Sequence, residues 1–142
     1  MRFLLDTDHV TIIQYETRPD YLNFKAHWAR YPPGDIAYSV VSFHEQLIGA
    51  HALLNGARRQ EEVIRGYERL GKILRHYSEA IVLPFDAAAA AEFDRLRSLR
   101  VRIATMDLRI ASIALAQGLT VLTRNTRDFG KVPGLMTADW TV

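Results

Sequence analysis

Apolar residues along this chain follow two rhythms. Short unbroken runs alternate with longer stretches in which they return every three or four positions. Arg2-Phe3-Leu4-Leu5 is a run of the first kind and ends abruptly in Asp6-Thr7-Asp8. It predicts a buried strand that hands over to a helix opening at Thr7 or Asp8. Asp20 to Tyr31 has helical spacing and is stopped by Pro32-Pro33-Gly34. Ile36 to Val41, rich in β-branched and aromatic residues, predicts a second strand. Ser42 then reads as an N-cap with Glu45 in the capping-box position, opening a helix through about Leu54 that Asn55-Gly56 closes. From Ala57 to Tyr77 the apolar positions Val63, Ile64, Tyr67, Leu70, Ile73 and Leu74 again mark a helix.

Ala80 to Leu83 predicts a third strand ended by Pro84, and Asp86 caps an alanine-rich helix to about Leu99. Thr105 or Asp107 opens a further helix, with Gly118 at its end. Leu119 to Thr123 predicts a fourth strand and Met136 to Trp140 a short fifth. Strands that are continuously apolar and alternate with helices imply a parallel sheet covered on both faces. Such sheets place their ligand sites beyond the carboxyl ends of the strands. No repeat or long linker divides residues 1–142, so one domain is expected.

Composition narrows the chemistry. The chain has no cysteine, which excludes disulfides, thiolate metal sites and a cysteine nucleophile. No run approaches the roughly 18 apolar residues of a membrane span, and an aspartate follows the first apolar run too early for a signal peptide. A cytoplasmic protein is therefore expected. The net charge of +2, from 18 basic and 16 acidic residues, is too small to argue for a polyanionic partner. Its distribution is more informative, with arginines grouped at Arg58–Arg59, Arg95–Arg102 and Arg124–Arg127.

Acidic and amide residues collect at predicted strand ends and helix starts: Asp6, Glu45, Asp107, Asn125 and Asp128. Each has a local explanation as a cap or a solvated loop residue. Together, a parallel sheet would bring them to one edge, where like charges about 4 Å apart repel by roughly 1 kcal/mol in water and more in a protein cleft. Their pKa values must then rise, or a cation must neutralise them. Oxygen-only donors suit Mg²⁺ or Mn²⁺, and phosphodiester hydrolysis is the reaction such ions serve. The five histidines show no ligand spacing and are read as structural or surface residues. Trp28, Phe129 and Trp140 are read as core or interface.

The stretches Leu4 to His9, Ser39 to Ala50, Ala104 to Leu115 and Leu122 to Leu135, in this order, resemble PIN domains. The likeness is greatest to the VapC-type toxins of bacterial toxin–antitoxin pairs, and Ala138 to Trp140 also looks like that family. The resemblance implies a three-layer α/β/α fold with a parallel central sheet of four to five strands. It implies a Mg²⁺- or Mn²⁺-dependent endoribonuclease in which Asp6, Glu45 and Asp107 are the principal metal-site acids. Asn125 stands where many relatives carry a fourth acid, and Asp128 could substitute or position water. Thr7 and Thr123 would act through their hydroxyls. The neutral Asn125 implies that a second metal is held less firmly. Asp8 and Ala104 stand where asparagine and glycine are frequent.

The expected function is therefore cleavage of single-stranded or looped RNA, with Arg124 and Arg127 holding flanking phosphates. An antitoxin is the expected partner, received by the helical region from about Ala50 to Tyr77, and a homodimer is implied by the family. Three other readings stay open. One is a housekeeping RNA-processing nuclease, another a catalytically silent binding module. The third is a haloacid-dehalogenase-like phosphatase, suggested by Asp6-Thr7-Asp8 after the first strand. That last scheme lacks a well-placed lysine and a later adjacent acidic pair, since Lys72 and Lys131 are poorly positioned.

Overall fold

The computed structural model describes residues 1–142. Five short strands form one sheet: β1 (Phe3–Leu5), β2 (Ile36–Ser39), β3 (Val82–Leu83), β4 (Thr120–Leu122) and β5 (Thr137–Ala138). Their order is β3-β2-β1-β4-β5, and every neighbouring pair is parallel. The order reverses at β1, which has β2 on one side and β4 on the other. A crevice at that reversal, beyond the carboxyl ends, is where this topology leaves room for a ligand.

Side chains of β1 alternate between the two faces of the sheet. Leu4 joins one core with Ala37, Val121, Leu108, Ile110 and Ile113. Phe3 and Leu5 join the other with Val10, Phe24, Tyr38, Ile73 and Trp140. The first core is covered by α5 (Ala87–Ser98) and α6 (Thr105–Gln117), the second chiefly by α1 (Thr7–Tyr15), α2 (Asp20–Trp28) and α4 (Gln60–Ser78). The helix α3 (Val40–Gly56) serves both, placing Val41 in the first core and Ala50 in the second. This is the expected three-layer α/β/α arrangement.

Two glycines matter by position. Gly118 ends α6 with φ +67°, a conformation most side chains avoid, and lets the Leu119 amide reach the Ala114 carbonyl at 2.8 Å. Gly66 lets α3 and α4 approach: a Cβ there would stand 2.5 Å from the Leu54 Cδ2.

Several expected boundaries move. The second strand stops at Ser39 instead of Val41, and the capping residue of α3 is Ser39, not Ser42. The Ser39 hydroxyl accepts from the Ser42 amide at 3.0 Å, so Val40 and Val41 turn helical despite their β-branched side chains. Glu45 is consequently not a capping-box partner. Ala104 precedes α6 without a side-chain cap, and Asp107 lies inside its first turn. The helix α2 ends at Trp28, and α4 begins at Gln60. A short helix, α7 (Thr126–Phe129), was not expected; Asn125 caps it. No helix is long and apolar enough to cross a membrane.

Candidate active site

Asp6 leaves the end of β1 and caps α1, its Oδ1 accepting from the Thr7 amide at 2.7 Å. Its Oδ2 accepts from the Thr123 hydroxyl, just past β4, at 2.8 Å. Glu45 projects from α3, and Asp107 from the first turn of α6. Each of the three offers one carboxylate oxygen, and these oxygens all lie within 4.8 Å of one another. Strand ends and helix starts thus converge where the sheet topology leaves its crevice.

Burial alone does not hold Asp6 and Glu45 in place; hydroxyls do. Thr7 Oγ1 lies 2.9 Å from Glu45 Oε1 and 3.0 Å from Ser42 Oγ. A hydroxyl carries one proton, so when Thr7 donates to Glu45, Ser42 is left to donate to Thr7. Ser42 and Ser39 are fully buried behind them. The Asp6 carboxylate is fixed in the same way by Thr123, whose oxygen also accepts from the Asn125 amide at 2.9 Å.

The electrostatics are unfavourable to three ionised acids. Asp6 is only 5% exposed, and burial, followed by repulsion from Asp8, pushes its pKa from 3.8 up to about 7 against the opposing hydrogen bonds. Burial and then repulsion from Glu45, Asp128 and Asp8 raise Asp107 to about 6. A divalent cation among these oxygens would replace the repulsion by attraction. The donor set is all oxygen and hard, Asp6 is held by a hydroxyl and an amide, and Glu45 is held by a hydroxyl. Asp6, Glu45 and Asp107 fit a divalent metal ion on these grounds.

Asn125 and Asp128 stand beside this cluster but engage each other. Asn125 Nδ2 donates to Asp128 Oδ2 at 3.0 Å, and Lys131 Nζ lies 3.3 Å from Asp128 Oδ1. The bonds from Asn125 and Lys131 hold the Asp128 carboxyl below its ordinary value. Asp128 therefore stays ionised at pH values where Asp6, at about 7, and Asp107, at about 6, already take up protons. Arg124 is exposed and reaches Asp20 Oδ2 at 3.2 Å; Arg127 is exposed and makes no ion pair.

Sequence reasoning missed the part played by Asp8 and His9. Trp140 donates its amide to His9 Nε2 at 3.2 Å, which leaves the ring proton on Nδ1 to be donated to Asp8 Oδ1 at 2.8 Å. Asp8 Oδ2 in turn accepts from the Arg124 amide at 2.9 Å. This buried relay anchors the loop after β4 to α1. The signal available was the adjacency Asp8-His9, which has meaning only once Trp140 is known to be near.

The PIN domain family profile matches residues 3–135. The tRNA(fMet)-specific endonuclease VapC of Shigella flexneri is 30% identical over 99% of both chains. Toxin FitB of Neisseria gonorrhoeae is 33% identical over 67% of this chain and 68% of its own. Among solved structures, the DNA-bound VapBC complex from Salmonella typhimurium superposes with a TM-score of 0.78 at 22% identity, covering 99% of this chain and 98% of the other. The FitAcB structure from Neisseria gonorrhoeae gives 0.70 at 29% identity, with 97% of each chain covered.

Proposed function

The chain belongs to the PIN-domain family, and from that membership we propose that it is the ribonuclease toxin of a toxin–antitoxin pair, with Asp6, Glu45 and Asp107 holding Mg²⁺ or Mn²⁺. The observation that carries this reading is the convergence of three carboxylate oxygens within 4.8 Å at the carboxyl end of a parallel sheet. Bound there, a divalent cation supplies Lewis-acid stabilisation of phosphoryl charge and lowers the pKa of water.

The protein's own residues provide position and charge. Thr7 orients Glu45, and Thr123 orients Asp6, so neither carboxylate must reorganise as charge develops. Asp128, kept ionised by Asn125 and Lys131, is placed to orient water or a substrate hydroxyl at the rim. Arg124 and Arg127 hold flanking phosphates, Arg124 by exchanging Asp20 for the substrate. The substrate class is single-stranded or looped RNA; transfer RNAs are the first to try, because two curated relatives are tRNA(fMet)-specific endonucleases. An antitoxin protein is the proposed partner, since solved structures of similar fold include a toxin–antitoxin complex from Klebsiella pneumoniae and VapBC-5, of a family of toxin–antitoxin systems, from Mycobacterium tuberculosis. A second copy of the chain completes a homodimer. A cytoplasmic location agrees with an RNA target.

The test is cleavage of a mixed RNA pool by purified protein with Mg²⁺ or Mn²⁺, with EDTA, and with Asp107→Asn. Cutting is expected only with metal and with Asp107 intact, the substitution lowering the rate by at least about 10²–10³-fold. Full activity of Asp107→Asn would remove Asp107 from the site.

A further inference from the structure

A second polar site opens where the end of α1 meets α3 and α4. Its cavity, about 500 Å³, is lined by Tyr15, Arg65, Arg69 and Lys72 together with Glu62 and Glu68. The charge there is unbalanced. Arg65, Arg69 and Lys72 recur along one stripe of α4, and none of them makes an ion pair, whereas Glu62 is drawn to Arg59 at 3.4 Å. Arg69 donates to the Tyr15 hydroxyl at 2.9 Å. Lys72 Nζ stands 4.5 Å from the Tyr15 ring centre and donates to the Gln14 carbonyl at 3.2 Å. Neutral partners thus fix the direction of two cations without cancelling their charge.

Tyr15 lies at the far end of α1, the helix that Asp6 caps, with the hydrogen bonds that join Gln46 to Gln14 and Thr11 between them. Tyr15 and Arg69 border a smaller cavity of about 160 Å³ whose walls include Thr11, Gln14 and Gln46. Thr11 is one helical turn beyond Thr7, and its hydroxyl donates to the Thr7 carbonyl; Gln46 follows Glu45 in the chain. The nine residues of helix from Thr7 to Tyr15, eight rises of about 1.5 Å, span about 12 Å, a reach of a few nucleotides.

We propose that the Tyr15–Arg65–Arg69–Lys72 cavity is a subsite for single-stranded RNA, binding backbone phosphates a few nucleotides from the bond cut at the acidic cluster. Unpaired guanidinium and ammonium groups supply the phosphate contacts, and the Tyr15 ring, 41% exposed, supplies a surface for one base. The proposal rests on the ribonuclease reading and extends it to a substrate contact remote from the chemistry.

The experiment measures binding of a fluorescent ten-nucleotide single-stranded RNA in EDTA as a function of salt, separately from cleavage. Arg65→Glu combined with Arg69→Gln should weaken binding at least about 10-fold and lower the salt slope by about 0.7 for each lost phosphate contact. Tyr15→Leu removes the ring and the hydroxyl that directs Arg69 but no charge, so it should weaken binding and lower the slope by less than the Arg65/Arg69 variant does. Arg95→Gln, on α5 beside Glu92, serves as the control and should change neither. Thermal melts verify that each variant is folded. Equal affinity and slope in the parent and the Arg65/Arg69 variant overturn the subsite and leave the cavity to a protein segment. Binding lost in that variant while the parent fails to cut any RNA with metal supports the subsite and removes the nuclease reading instead.

Discussion

Two regions of the molecule are built on opposite principles. Against one face of the sheet, Phe3, Phe24, Trp28, Tyr31 and Trp140 form an aromatic cluster with ring centres 4.7–5.5 Å apart, mostly edge-on or stacked. Beyond the carboxyl end of β1, three carboxylates crowd together, and burial and repulsion raise the pKa values of two of them. One region gains stability from every contact. The other gives up stability to keep acids close together. Their difference shows which part of the fold is scaffold and which part is poised for chemistry.

The comparison breaks most visibly at Trp140. It is 5% exposed and contacts Phe3, Phe24, His27 and Tyr31, so Trp140→Ala should cost about 3–5 kcal/mol of stability. Denaturant unfolding checks this; a loss below about 1 kcal/mol would mean that the aromatic region is not the scaffold. The acidic end should respond in the opposite sense. Because the folded pKa of Asp6 is raised from 3.8 to about 7 and that of Asp107 to about 6, the folded state binds more protons than the unfolded one between those values. Metal-free protein should therefore be most stable below pH 4 with respect to these two groups and lose that contribution as pH rises to about 7. Mg²⁺ should restore it at pH 7–8. Asp6→Asn should flatten the pH dependence and stabilise the metal-free protein at pH 8 by on the order of 2 kcal/mol, read from melting curves with and without Mg²⁺. Thr7→Val sharpens the picture at smaller scale. Glu45 loses its orienting hydroxyl, so the cleavage rate should fall about 10-fold, a change of about 1.4 kcal/mol, with little loss of folding stability.

The alternation of apolar runs was enough to read the parallel sheet, because buried strands of this kind leave a continuous hydrophobic signature. Asp6 and Asp107 were legible by their places at element boundaries, while Glu45, read as just past a strand, sits in the second turn of α3, and the topology gathers all three. What escaped was local competition and long-range contact. Val40-Val41 reads as strand, yet the Ser39 hydroxyl captures the Ser42 amide and starts the helix at Val40, so the strand ends two residues early. Asn125 reads as a loop residue near a site, and its capping of α7 depends on Asp128 three residues on. The hydroxyl chain Ser39–Ser42–Thr7 crosses 35 residues of sequence, and no spacing rule announces it.

The bond from Trp140 to His9 joins residues 131 positions apart, and Thr123 meets Asp6 across 117. On a ribosome these partners emerge far apart in time. A nascent chain that has reached Gly118 already contains Asp6, Glu45 and Asp107, but it has neither the strand that flanks Asp6 nor the hydroxyl that aims it. The acidic edge is therefore completed only when residues 120–123 have been added, and until then Asp6 has no side chain to aim it.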